Sequence, residues 1–427
     1  MGKIKIDLPV AVITALNLLQ AAGYKSYIVG GCVRDFLLGL NPKDYDITTP
    51  ATPDEIKKVF SQFQSIDTGI KHGTVTVIID GIPLEITTFR TDGEYIDNRH
   101  PKTVEFVQNL KLDLMRRDFT INAIAYNDQD GIIDYFGGVS DLKNGIVKCV
   151  GNPNDRFSED ALRIMRAIRF ATRFGFEIEQ ETRKALFIRQ SLLRNISAER
   201  INSELTKTLQ HITFETNVGL LVDMMTLLTE VVPEFGGCDI QKISVRLLRS
   251  ISDIEVRLAL LFDFDDNDIE NVLYRLRFSN YLFKSVTTIV KYGRRIMNDR
   301  NQLEIVKESI SCNEYDKTDY YEVRLLHDIG HKLSTWSILY TYSFFDKDDN
   351  DNQDILRALF LKTIRCEIPY RLADLQIKGN DLISLGYNGK EIGNVLNTLL
   401  DMVMRQTVPN DRDKLIQVAK SIKEYLI

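Results

Sequence analysis

An α/β N-terminal region followed by an all-α remainder is the fold class this sequence predicts, and three observations carry it. Up to about residue 145, short apolar runs that read as strands alternate with amphipathic helical segments and frequent glycines. A hairpin signal, Asp80-Gly81, joins the runs "GTVTVII" and "IPLEITTFR". From about residue 150 glycine thins out and helical periodicity runs to the end.

The elements follow in chain order. "VAVITALNLLQAAG" has helical apolar spacing and stops at Gly23, a suitable residue just past a helix end. "SYIVGG" reads as a strand, "VRDFLLGL" as a short helix and "YDITT" as a second strand. "TPDEIKKVF" opens a helix with Thr52 as N-cap, Pro53 at the first position and Glu55 at the third. "SEDALRIMRAIRFATRF" reads as the first strong helix of the second region, with Ser158 as its N-cap. The acidic run at 346–354 mimics a calcium loop, but Asp351 stands where that loop needs glycine and Arg357 where it needs glutamate, so it reads as a solvated loop.

At 427 residues the chain is long enough for two to four domains. Its 44% hydrophobic and 27% charged residues fit a globular protein. No run of about 18 apolar residues suggests a membrane span, and the N-terminal "MGKIKIDLPV" lacks the apolar stretch of a signal peptide. Five scattered cysteines without a CxxC argue for reduced thiols in a cytoplasm and against disulfides or a zinc site. A net charge of −6 weighs against a wholly basic nucleic-acid coat, though a local basic channel is compatible with it.

The chemistry concentrates in "YIVGGCVRDFLLGLNPKDYDITT", residues 27–49. Asp44 and Asp46 flank Tyr45, and a period of two puts both carboxylates on one face of a strand. Two like charges so close call for a cation, and oxygen-only ligands favour Mg²⁺ shared with substrate phosphates. Gly30 and Gly31 after a strand let the backbone approach a bulky anion, and Arg34 can grip phosphate oxygens in bidentate fashion. The unit therefore reads as a triphosphate-and-metal site, and it is not a P-loop. Taken singly, a D-x-D is more often a polar strand edge and a Gly-Gly pair a turn. Glu85 is a third candidate carboxylate whose face the sequence leaves open; Asp80 competes for that role from a poorer turn position.

Along the second region Glu159, Arg163, Arg166, Arg169 and Arg173 step by 4, 3, 3 and 4 and form one helical stripe. A charge run is usually a solvated face, but here the cations are all arginine, which suggests fixed anionic or planar partners. Segment 156–200 holds ten Arg or Lys against six Asp or Glu, a basic patch in an acidic chain. Arg163 donates hydrogen bonds and Asp160 accepts them, a pattern that accepts the edges of cytosine and adenine and rejects guanine and uracil.

The ordered set "GGCVRD", "DYD", "EITTFR", "RRDFTINA", "EDALRIMRAIRF" and "SAERINSEL" resembles the class II tRNA nucleotidyltransferases, the bacterial-type CCA-adding enzymes, within the poly(A) polymerase superfamily. The resemblance covers nearly the whole chain, and "IKGNDLISLGYNGKEIGNVLNTLL" is similar to the family's tail motif. It implies an α/β nucleotidyltransferase head over 1–145, then a helical neck over 146–204, body over 205–340 and tail over 341–427. It implies Mg²⁺ on Asp44 and Asp46, with Glu85 as the third active-site carboxylate. Gly30, Gly31 and Arg34 would meet the nucleotide phosphates. Arg117, Asp118 and Asn122 would line the nucleotide site, with Asp118 towards the ribose. Asp160 and Arg163 would read the base, flanked by Arg166 and Arg169. The implied activity is template-independent addition of C, C and A to the 3′ end of tRNA from CTP and ATP. "DGEYIDNRHP", residues 92–101, resembles the loop of family members that add the terminal A.

Within the class, an A-adding or CC-adding enzyme or a bacterial poly(A) polymerase is the alternative. A catalytically dead RNA-binding module would not need Asp44 and Asp46. "HDIGH" at 327–331 hints at a phosphohydrolase, but no histidine lies between 212 and 326 to complete a metal set, so His327 reads as structural. The oligomeric state is not legible in the sequence.

Overall fold

The computed structural model describes residues 5–93, 103–299, 320–345 and 349–425, and divides into two compact units, Met1–Gln241 and Lys242–Ile427. The loop expected at 92–101 falls, from residue 94 on, outside the described residues, as does the start of the acidic run at 346–354.

The first unit is built on a seven-stranded mixed sheet. Its strands are β1 (Tyr27–Val29), β2 (Asp46–Thr49), β3 (Gln64–Gly69), β4 (Thr74–Ile79) and β5 (Ile82–Thr88), then β8 (Ile124–Asn127) and β9 (Gly131–Asp134). They lie in the order β3-β4-β5-β2-β1-β8-β9. Only β2 and β5 run parallel; the other neighbours are antiparallel. The intervening β6 (Arg90–Asp92) and β7 (Val104–Phe106) form a separate ribbon at the foot of the 94–102 segment.

Local sequence explains much of this. β4 alternates, burying Val75, Val77 and Ile79. Asp80 and Gly81 both take positive φ, as a two-residue hairpin turn requires. The helix α1 (Val10–Ala21) ends as expected, with the Gly23 N–H donating to the Gln20 carbonyl at 2.9 Å. After α2 (Gly31–Leu37), α3 (Pro53–Val59) carries its capping box, Glu55 accepting from the Thr52 N–H at 2.8 Å. The edge strands β3 and β9 carry too little apolar alternation to stand out in the sequence. One face of the sheet packs Tyr27, Val29, Ala123 and Ala125 against Leu110 and Leu114 of α4 (Leu110–Met115).

After α5 (Gly138–Asn144) the chain turns helical, though Ile146–Val147 (β10) still pairs in parallel with Glu177–Ile178 (β11). The expected single helix starting at Ser158 is in fact two. The helix α6 (Pro153–Glu159) starts at an Asn152 cap with Pro153 in its first turn, and Ser158 lies inside it, its hydroxyl donating back to the Asn154 carbonyl at 2.8 Å. The backbone becomes extended at Asp160, and α7 (Leu162–Phe174) begins after it. Asp160, not Ser158, accepts from the α7 start, taking the Leu162 N–H at 3.2 Å. The unit continues through α8 (Gln180–Ile188), α9 (Ala198–Gln210) and α10 (Val218–Leu228). The apolar α10 buries Asp223, which the Arg183 guanidinium clamps with bonds of 2.6 and 2.7 Å.

The described part of the second unit is helical. One core gathers Ile296, Leu325, Ile338, Ile355 and Leu359. Another gathers Leu382, Tyr387, Val395, Leu399, Leu400 and Leu415 around the tail-like motif. His327 is structural there: its Nδ1 bonds the Tyr370 carbonyl at 2.8 Å. Among the described residues no helix is long and apolar enough to cross a membrane.

Candidate active site

The parallel pairing of β2 with β5 decides what the sequence left open. Asp46 lies opposite Glu85, and Ile47 opposite Ile86. Leu84 and Ile86 are buried, so alternation turns Glu85 to the other, open face, beside Asp46. Asp44 sits two residues before β2, which begins at Asp46. Asp46 and Glu85 are both perturbed by their neighbours. Burial first, then the charge of Asp44, pushes the Asp46 carboxyl up, with Arg117 opposing. Glu85 is raised by partial burial and by the charges of Asp46 and Asp44. Asp46 and Glu85 thus share one face, with the charge of Asp44 acting on both and Arg117 as the cation opposing it at Asp46. Among the described residues no group of three or more His, Cys, Asp or Glu is placed to hold a metal by itself.

The glycine turn closes the other side. Gly30 holds φ +79°, and its N–H donates to the Ile124 carbonyl at 3.1 Å. A Cβ on Gly30 would lie 2.8 Å from a guanidinium nitrogen of Arg117, whereas one on Gly31 would meet nothing nearer than 3.5 Å. Only Gly30 is therefore compelled by geometry. Arg117 rests over this turn and acts electrostatically on Asp46, while its Nε is buried without a hydrogen-bond partner. It is anchored by Asp113, which the sequence reading missed. Asp113 is fully buried, 2.9 Å from Arg116 and 3.7 Å from Arg117, and accepts from the Thr48 hydroxyl at 3.3 Å. An acid three and four residues before two arginines was the available signal.

Behind the turn runs a continuous polar network. Arg34 is buried, donating to Asp35 at 2.6 Å and to the Asn122 side-chain oxygen at 2.5 Å. The Asn122 amide donates to Asp118 at 3.0 Å, and Arg166 donates twice to the other Asp118 oxygen at 2.6 and 2.9 Å. Burial pushes the Asp118 carboxyl up, but the Arg166 charge and the bonds from Asn122 and Arg166 outweigh it and hold it well below the usual carboxylate range. Arg169 donates to buried Glu204 at 2.5 Å, and Arg173 reaches Asp35 at 3.3 Å. Arg34, Arg166 and Arg169 all lie within 5.2 Å of the Phe170 ring centre. The arginine stripe is thus no solvated face. Its anionic partners Asp35, Asp118 and Glu204 lie far away in sequence.

Asp160 and Arg163 come together at the α6–α7 break, each already engaged. The Arg163 guanidinium donates to Glu159 at 2.7 Å and to the Arg116 carbonyl at 3.0 Å. Asp160 accepts from Arg200 at 3.2 Å. The Arg116 carbonyl ties this pair to the Asp113–Arg117 cluster.

Known relatives match up to 99% of the chain. Residues 26–148 match the family model "Poly A polymerase head domain", residues 175–236 "Probable RNA and SrmB-binding site of polymerase A", and residues 248–419 "tRNA nucleotidyltransferase domain 2 putative". The chain is 37% identical to the CCA-adding enzyme of Lactobacillus helveticus over 99% of both chains. It is 35% identical to that of Ligilactobacillus salivarius over 96% of this chain and 95% of the relative. Its fold is similar to the Bacillus stearothermophilus CCA-adding enzyme in complex with CTP, with a TM-score of 0.74 at 27% identity over 97% of each chain. The Thermotoga maritima CCA-adding enzyme complexed with tRNA shares the fold, with a TM-score of 0.68 at 21% identity over 97% of this chain and 96% of that one.

Proposed function

This chain belongs to the CCA-adding enzyme family of tRNA nucleotidyltransferases, and we propose that it adds C, C and A in turn to the 3′ end of tRNA from CTP and ATP, with Asp44, Asp46 and Glu85 as the catalytic carboxylates. The observation that carries the chemistry is the register of β2 and β5, which sets Asp46 beside Glu85 with Asp44 close enough to perturb both.

The donor set fits Mg²⁺. Its ligands are oxygen only, and their mutual repulsion is what a divalent cation relieves. Mg²⁺ commonly takes one or two carboxylates plus phosphate and water, so Asp44 and Asp46 suffice to hold it. When bound, the ion neutralises the triphosphate and stabilises in-line displacement. The bond from the tRNA 3′-oxygen to the α-phosphorus forms, the bond from that phosphorus to its bridging oxygen breaks, and pyrophosphate leaves. Glu85, its carboxyl pushed up by partial burial and by the charges of Asp46 and Asp44, is suited to take the hydroxyl proton. Arg117, whose terminal guanidinium nitrogen lies against the Gly30 turn, is the cation best placed for the triphosphate. Arg34 and Asn122 hold Asp118 and Arg166 behind it. Asp160 and Arg163 read the base once Arg200 and Glu159 give way to it. Head, neck, body and tail boundaries at 145, 204 and 340 complete this reading. Among the described residues Cys32, Cys149, Cys238 and Cys366 are in no disulfide, which suits a reducing cytoplasm.

The test uses tRNA lacking its 3′ end, with each labelled nucleoside triphosphate alone and then with CTP and ATP together. Two C residues should enter from CTP alone, and A only after them; Asp44→Ala should abolish both. Repeated A addition, equally good on an unstructured oligonucleotide, would reassign the chain to poly(A) synthesis.

A further inference from the structure

In the second unit the helices Asp266–Arg275 and Asn280–Asn298 are joined by a short turn that the mechanism above does not use. Residues 271–298 hold six Arg or Lys and no Asp or Glu, in a chain of net charge −6. Several of these cations are already engaged. Arg294 pairs with Asp263 and Asp266, Arg295 pairs with Asp328, and Lys291 lines a cavity with Asp266 and Glu270. Arg275 is engaged as well. Arg277 and Lys284 are exposed, and neither pairs with a carboxylate among the described residues.

Two independent features mark this corner. The first is backbone strain, for Arg277 holds φ +58°. It sits in the turn that closes the helix, where its N–H donates to the Tyr274 carbonyl and the Phe278 N–H to the Leu273 carbonyl, both at 3.0 Å. Glycine ordinarily takes this position, because a Cβ is strained there. An arginine kept at a glycine position costs stability, which points to a use for its side chain. The second feature is aromatic. Tyr274 is 71% exposed, and the Arg277 guanidinium lies 5.7 Å from its ring centre. Tyr281 is 54% exposed but fixed: its hydroxyl donates to Glu255 at 2.9 Å and accepts from Lys332 at 3.2 Å. Lys332 is exposed, forms no ion pair among the described residues, and rests 4.1 Å from the Trp336 ring centre. Lys284 follows Tyr281 by three residues, on the same face of its helix. Glu255, the acid that holds the Tyr281 ring, is itself buried.

We propose that this corner, formed by Tyr274, Arg277, Tyr281, Lys284 and Lys332, is a docking surface for the phosphate–ribose backbone of tRNA, the three cations meeting phosphates and the two tyrosines meeting riboses. The assignment rests on the reading of this chain as a tRNA-extending enzyme. Arg, Lys and Tyr side chains are common donors to phosphate and sugar oxygens, and such contacts carry no sequence information. An enzyme that extends tRNAs of differing sequence needs contacts of that kind. Unpaired surface cations can also neutralise phosphates and release the counterions of RNA, which arginines already matched to carboxylates do far less.

Arg277→Gly, Lys284→Gln and Tyr274→Leu test this in the full chain, by fluorescence anisotropy with labelled tRNA lacking its 3′ end. Arg277→Gly and Lys284→Gln should each weaken binding about eightfold at 0.1 M salt and flatten the slope of log affinity against log salt by about one, the counterion term for one phosphate. Tyr274→Leu should weaken binding several-fold and leave the slope unchanged, because it removes a ring and no charge. In extension assays the loss should fall on KM for tRNA, not on kcat or KM for CTP. Arg277→Gly should at the same time raise Tm by about 2–4 °C, because it relieves the left-handed backbone. A purely structural arginine would leave tRNA affinity and slope alone. Wild-type affinity and slope in the triple variant Arg277→Gly, Lys284→Gln, Lys332→Gln, with the wild type still extending tRNA, would overturn the surface and leave the activity standing. A wild type that binds tRNA tightly without extending it, and loses that binding in the triple variant, would sink the activity and leave the surface standing. Sedimentation velocity checks the other occupant: a wild-type dimer that the triple variant dissolves would make this corner a contact between copies of the chain and overturn the RNA assignment.

Discussion

Asp46 and Asp118 are both perturbed carboxylates of one site, yet they answer to opposite forces. Asp46 is raised, because burial and Asp44 disfavour its charge. A folded-state pKa above the unfolded one contributes stability that is full at low pH and lost as pH rises through the folded value. At neutral pH the ionised Asp46 therefore destabilises the free enzyme. Asp46→Asn should abolish nucleotide incorporation while raising Tm at pH 7, and that gain should shrink to nothing as the pH is lowered below about 4, the ordinary aspartate pKa. A calorimetric pH series checks this; a lower Tm at pH 7 would mean that Asp46 is structurally required. Asp118 is lowered, because Arg166 and Asn122 outweigh its burial. Its contribution is present above the unfolded pKa and lost as pH falls through the folded one. Asp118→Ala leaves Arg166 and Asn122 without their partner and should cost about 3 kcal/mol or more in urea unfolding at pH 7. A cost near zero would show that water replaces the carboxylate.

At the scale of elements, the β1–α2 turn is where backbone and site meet. Gly30 has a positive φ and faces Arg117; Gly31 opens α2 with ordinary room around it. Gly30→Ala should cost about 1–2 kcal/mol of backbone strain and push Arg117 off the turn, raising KM for CTP and ATP together. Gly31→Ala should leave both quantities nearly unchanged. Equal nucleotide KM values in the two variants would remove Arg117 from the triphosphate site. The break between α6 and α7 is the second decisive element. It frees the Asp160 backbone from helix and turns its carboxylate to the start of α7 and to Arg200.

For the whole molecule, charge sets how RNA can be held. The chain is acidic overall, with net charge −6, and many arginines of its basic segment are already matched: Arg166 to Asp118, Arg169 to Glu204, Arg173 to Asp35 and Arg183 to Asp223. Few cations of that segment are left to displace counterions, so tRNA affinity should depend weakly on salt. With about three to five phosphate contacts, the slope of log affinity against log salt should fall near −2 to −5. A titration between 50 and 300 mM salt measures it. A slope steeper than about −7 would mean a broad basic surface.

The sequence alone determined what is local. The α/β-to-helical change near 150, the Asp80-Gly81 hairpin and the Thr52 capping box all follow from patterns a few residues long. So does the choice of Asp44, Asp46, Arg163 and Asp160 as candidates, because spacing and residue chemistry can be read without the fold. Tertiary structure decided what depends on distant partners. Which face Glu85 takes was fixed by pairing with a strand some forty residues away. The worth of Asp113 was hidden because its burial comes from the sheet packed over it. The arginine stripe's partners Asp35, Asp118 and Glu204 belong to other elements, and no helical period points to them. Ser158 looked like a cap because a cap is a local signal, but Asn152-Pro153 started the helix earlier and the chain broke at Asp160 instead. Periodicity and capping act over one or two turns, whereas register, burial and ion pairing depend on which segments meet, and only the folded chain brings those together.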